Sequence, residues 1–86
     1  MTTLMMLLLH NNGLPMMPAD EVARTHFGLS TDKFVQKVRR GDIPLPLVEM
    51  EEDSQKAKKG IMLADLAGYI DGRAAAAREL ARKMSS

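Results

Sequence analysis

Between positions 18 and 41 the apolar residues recur with a helical period, first as Val22, Ala23 and Phe27 and then, beyond Gly28, as Phe34, Val35 and Val38. Ser30 stands where a helix would begin, and Gly28 where a chain would turn. The spacing predicts two short helices joined by a Gly turn, with the second returning Phe34, Val35 and Val38 to the interior. Such a pair fits a helix-turn-helix, whose second helix turns Lys33, Gln36, Lys37 and Arg40 outward. A helix of that width fits the DNA major groove, where basic side chains meet phosphate. The same spacing also suits a solvated helix pair on a small core, so the pattern alone leaves both readings open.

Elsewhere the pattern changes three times. Positions 2–12 are apolar nearly all round, with Thr3 as the expected N-cap and Asn11-Asn12-Gly13 as the stop. A helix of that kind has to be covered, so Leu4, Met5, Leu7 and Leu8 are expected to pack on the rest of the domain or on a second subunit. The stretch Leu14-Pro15-Met16-Met17-Pro18 reads as an extended linker or a short edge strand, because each Pro biases its predecessor away from helix. Pro18 then suits a helix start, with Asp20 and Glu21 in the first turn complementing the dipole.

Positions 43–51 alternate with period two and predict a strand entered through Pro44 and Pro46, which a second extended stretch at 60–63 would pair across a loop at 52–59. A basic-tipped hairpin after a helix-turn-helix is a wing. Ser54, Gln55, Lys56, Lys58 and Lys59 would lie at or near its tip, within reach of phosphates or the minor groove; the plainer reading is a solvated loop. Finally, 64–84 predicts a long helix, with Leu63, Leu66, Ile70, Ala77, Leu80 and Met84 at three-four spacing. The expected fold class is α+β, mainly α. It is a winged helix-turn-helix with an N-terminal apolar helix, a small β-hairpin wing and a long C-terminal helix, forming one domain over 1–86. The C-terminal helix is a candidate for self-association through Ile70, Ala77, Leu80 and Met84, with residues 74–86 as a dimerisation extension, against the alternative that the segment beyond Arg73 is a frayed, Ala-rich tail.

Composition narrows the function. With 86 residues the chain can bury one core but has little room for an elaborate catalytic cleft. The net charge of +1 is uninformative, but its distribution is blocky. Positions 24–40 hold five basic residues against one acid, 42–53 hold five acids, and 56–59 hold three lysines. Two basic blocks could converge on one face, as nucleic-acid binders require. The absence of Cys excludes disulfides, thiolate zinc sites and cysteine nucleophiles, and suits a cytoplasmic location. The apolar run at 4–9 is too short to span a bilayer. Phe27, Phe34 and Tyr69 are the only aromatics, too few for a single-strand stacking platform. His10 and His26 lack partners at metal-ligand spacing, and Glu49, Glu51, Glu52 and Asp53 lack the alternation of a calcium loop. Ser30 and Ser54 have no recognisable base, and no Gly-rich phosphate loop is present. Neither a cofactor nor a catalytic role is expected.

Four motifs carry a resemblance. Pro18-x-x-Glu21-Val22 leads to Phe27-Gly28-Leu29-Ser30; Gly41-x-Ile43-Pro44-x-Pro46 follows; then come Ser54-Gln55-Lys56-Ala57 and Asp65-Leu66-Ala67-x-Tyr69-Ile70-Asp71. In this order they resemble the pyocin activator protein family, the PrtN-like regulators of bacteriocin clusters and prophages. The resemblance implies a regulator that binds promoter DNA and switches on neighbouring phage or bacteriocin genes. The DNA-contacting residues would be Thr31, Lys33, Gln36, Lys37 and Arg40 with Ser54, Gln55, Lys56, Lys58 and Lys59. The expected partners are double-stranded DNA, a second copy of the chain and RNA polymerase, with no membrane. Two other readings stay open: an excisionase-like protein that bends DNA, and a phage protein-interaction module without DNA binding.

Overall fold

A computed structural model describes residues 1–52 and 58–85. Helix α1 (Thr3–His10) leads through a turn to β1 (Met16–Pro18). Next come α2 (Ala19–Val22), a π-helical segment (Ala23–Phe27) and α3 (Thr31–Arg39). Strands β2 (Val48–Glu49) and β3 (Lys59–Met62) then precede the long α4 (Leu63–Ser85). The architecture is α+β and mainly helical, with one small antiparallel sheet ordered β1-β3-β2.

The cap of α1 is Thr2 rather than the expected Thr3: the Thr2 hydroxyl accepts from the Met5 amide at 3.1 Å. Thr3 is engaged elsewhere, its hydroxyl donating to Asp71 Oδ1 at 2.6 Å and fastening α1 to α4. Leu7 is buried, with Leu4 and Leu8 packed against the core, but Met5 is 52% exposed. Asn11 does more than stop the helix. It is buried, and its Nδ2 donates to the carbonyls of Leu14 and Met16 at 2.7 and 3.0 Å, so the turn into β1 is built around a satisfied polar group.

Within the segment 14–18, Met16–Pro18 forms an edge strand. Met17 faces Ile61 and Pro18 faces Gly60 across an antiparallel ladder, and the Leu63 amide continues the pairing to the Pro15 carbonyl at 2.8 Å. Proline is tolerated here because an edge strand has one side without a ladder. The strand expected over 43–51 shrinks to Val48–Glu49. Pro44 and Pro46 have no N–H to donate, so this segment keeps its alternating burial, with Ile43 and Leu45 inside, but cannot join a ladder. Only Val48↔Gly60 and Glu49↔Lys59 pair, and the Met50 amide adds a bond to the Lys58 carbonyl at 3.0 Å.

Phe34, Met17, Ile61, Leu63, Leu66 and Val22 are the largest fully buried side chains, and they come from α2, α3, α4, β1 and β3 together. Each element therefore depends on the others for its apolar face. The π-helical segment arises where the Gly28 and Leu29 amides both turn back to the Ala23 carbonyl, the latter at 3.0 Å, with Gly28 in the left-handed region at φ 64°. Its widened turn sets Phe27 against Phe34, ring centroids 5.1 Å apart, and against Tyr69 of α4 at 5.6 Å.

Candidate nucleic-acid interface

Helix α3 begins because Ser30, in extended backbone, accepts the Lys33 amide at 3.3 Å; Asp32 in its first turn and Lys37 and Arg39 in its last complement the dipole. It is held from one side only. Phe34 is fully buried, Val35 and Val38 are half-buried, and Thr31, Lys33, Gln36, Lys37, Arg39 and Arg40 are exposed. At 100° per residue, Gln36, Arg40 and Lys33 point most directly away from the Phe34–Val38 stripe, with Arg39 and Lys37 on opposite flanks. Lys33 and Lys37 pair with no described acid.

The Arg39 flank lines a shallow groove with Thr31, Gln36 and Arg40, the start of α2 at Ala19 and Asp20, and Lys59 of β3. Two of its cations are already engaged. Arg39 reaches Glu49 of β2 at 3.1 Å, and Arg40 reaches Asp42 at 2.8 Å. All four side chains are at least a third exposed, so these pairs are held loosely by water-screened attraction. Arg39 was absent from the residues expected at the site, although the Arg39-Arg40 doublet was a signal for it.

Of the other expected contacts, Lys58 is exposed at the end of the β2–β3 connection, and Lys59 is half-buried in β3, paired with Glu49 in the ladder. Ser54, Gln55 and Lys56 lie outside the described residues.

A family model, pyocin activator protein PrtN, matches residues 3–77. The chain belongs to the pyocin activator protein PrtN family. Membership makes it a regulatory protein. In this PrtN-family chain the match takes in α1, the whole sheet, α3 and more than half of α4, and leaves 78–86 outside it. No curated protein and no solved structure matches the chain.

The remaining titratable feature lies on another face. His26 lines a small cleft with Phe27, Leu66 and Tyr69. Desolvation lowers its pKa from the ordinary histidine value, repulsion from His10 adds to this, and Glu21 opposes it. Among the described residues no cluster of three or more His, Asp or Glu is arranged to hold a metal. No described helix is long and apolar enough to cross a membrane.

Proposed function

We propose that this PrtN-family chain is a sequence-specific transcription regulator that binds double-stranded DNA and activates prophage or bacteriocin genes. In this reading α2, the π-helical segment and α3 act as a helix-turn-helix, and the β2–β3 hairpin acts as a wing beside it. The observation that carries the proposal is the one-sided anchoring of α3, with Phe34 buried and Lys33, Gln36, Lys37 and Arg40 facing outward.

Roles follow from the side chains. Gln36 near the middle of the outer face offers an amide that pairs bidentately with adenine. Lys33, Lys37 and Arg40 neutralise phosphates along the groove, and Thr31 at the helix start donates its hydroxyl to a phosphate oxygen. Arg39 joins them from the groove flank. Lys58 and Lys59, with Ser54, Gln55 and Lys56 of the same connection, meet the backbone or minor groove next to the α3 site. A second copy, associated through α4, doubles the site and would read a repeated half-site. Activation then requires RNA polymerase as a further partner.

Titration of labelled duplex at several salt concentrations tests the reading. Lys37→Ala should lower the log-log salt slope by about 0.9 and weaken all sequences alike. Gln36→Ala should cost roughly 1 to 3 kcal/mol at the specific site and little elsewhere. A Lys37→Ala chain with wild-type affinity and slope would remove α3 as the reader. Wild-type protein with no salt-dependent affinity for any duplex would leave a protein-interaction module in its place.

A further inference from the structure

Among the described residues, two apolar surfaces have no cover, and they match one another. The first is the end of α4. Leu63 and Leu66 start a three-four stripe that is fully buried, and Ile70 continues it half-buried against the core. Past Ala74 every described residue is exposed, yet the stripe goes on through Ala77 to Leu80, 60% exposed, and Met84, 78% exposed. The second surface is the flank of α1. Met1, Met5, Leu8 and Asn12 fall at spacings of four, three and four, and with Leu9 and Gly13 they line a shallow, apolar groove. Met1 and Leu9 are 82% and 69% exposed.

A chain cannot satisfy both surfaces by itself. Thr3 is bonded to Asp71, and the far end of α1 leads through Pro15 to the Leu63 amide, so α1 runs antiparallel beside the first half of α4. The tail of the same helix continues away from the groove. A second copy has no such constraint, and twofold symmetry would make the exchange reciprocal.

We propose that the α1 groove of one copy receives the α4 tail of a second copy, so that two chains exchange tails. This rests on the reading that the chain dimerises through α4, and it names what that helix grips. Charge and area select the α1 groove over direct pairing of two tails. Charge separates the alternatives. From 74 to 85 the tail holds three basic residues, Arg78, Arg82 and Lys83, against one acid, Glu79, a net +2. Two tails side by side would oppose these charges, whereas α1 carries no Asp, Glu, Lys or Arg at all. Area favours exchange as well, because each copy contributes both a groove and a tail toward the ~800 Å² per partner typical of a stable interface, whereas direct pairing would engage the tails alone.

The chain has no cysteine, so engineered thiols report without background. Full-length Met5→Cys and Leu80→Cys chains, carrying tags of different mass, are mixed and treated with a short bismaleimide. These positions are near the middle of groove and tail, so the result does not depend on the direction in which the tail lies. Tail exchange predicts a cross-link between the two kinds of chain at several times the yield of either kind alone. Cross-linking of Leu80→Cys only with itself would overturn the α1 groove while leaving an α4 dimer intact. Sedimentation of wild-type chain as a monomer at tens of micromolar would overturn the dimer reading and the exchange with it.

Discussion

Position 60 has to be glycine because the backbone of β1 passes too close to it for a Cβ. Its neighbours across the ladders are Pro18 on one side and Val48 on the other. A Cβ there would lie 2.7 Å from the Met17 carbonyl oxygen and 2.8 Å from Met16 Cγ. The Met16 side chain can swing aside, but the Met17 oxygen belongs to the backbone of β1. Gly60→Ala should therefore destabilise the fold by about 1 to 3 kcal/mol, read as a lower Tm, as overpacking does elsewhere. The requirement was invisible in the sequence, where Lys-Lys-Gly-Ile resembles any loop running into a strand. Asn11 is a second case. Its place after an apolar run marked a helix stop, but a stop signal does not reveal that the side chain turns inward to bond the carbonyls of Leu14 and Met16. The outward residues of α3 were legible for the opposite reason, since a helix with one apolar stripe has only one way to sit on a core.

Elements were legible where local chemistry and burial agreed. Ser30, the Phe34 stripe and the charged remainder all point to α3, and α3 lies within a residue of expectation. The alanine-rich run fixed α4 similarly. The π-helical segment was not legible, because a single widened turn leaves the order of apolar residues unchanged and only shifts where Phe27 points. Burial without pairing at 43–46 misled in another way: period-two alternation reports which side chains are inside, not whether the amides exist to bond. The end of α4 allows a direct test at this scale. Among the described residues every buried one precedes Gly68, so a chain ending after Arg73 should keep a cooperative unfolding transition with Tm lowered by only a few degrees. If α4 is the dimer contact, the same chain should sediment as a monomer under conditions where the full chain dimerises. A truncated chain that still dimerises would exclude the tail as the contact.

On the scale of the whole molecule, what matters is how charge is distributed over a chain with a net of only +1. The five acids of 42–53 separate the two basic blocks in sequence, but folding brings two of them against α3, Glu49 onto Arg39 and Asp42 onto Arg40. In the DNA-binding reading these carboxylates compete with phosphate for the same guanidinium groups. They lower affinity for every sequence alike, and the discrimination supplied by Gln36 then counts for more of the total. Removing one of them tests this. Glu49→Gln keeps the size of the side chain and the β2 backbone but cancels the charge, releasing Arg39 to condense on a phosphate. Affinity for non-specific duplex should rise, and the log-log salt slope should steepen by about 0.9, the share of one additional neutralised phosphate. The ratio of specific to non-specific affinity should fall or stay level, because an arginine freed onto the backbone adds no base discrimination. Unchanged affinity and slope would mean that Arg39 lies off the DNA path and that its bond to Glu49 serves only to hold β2 against α3.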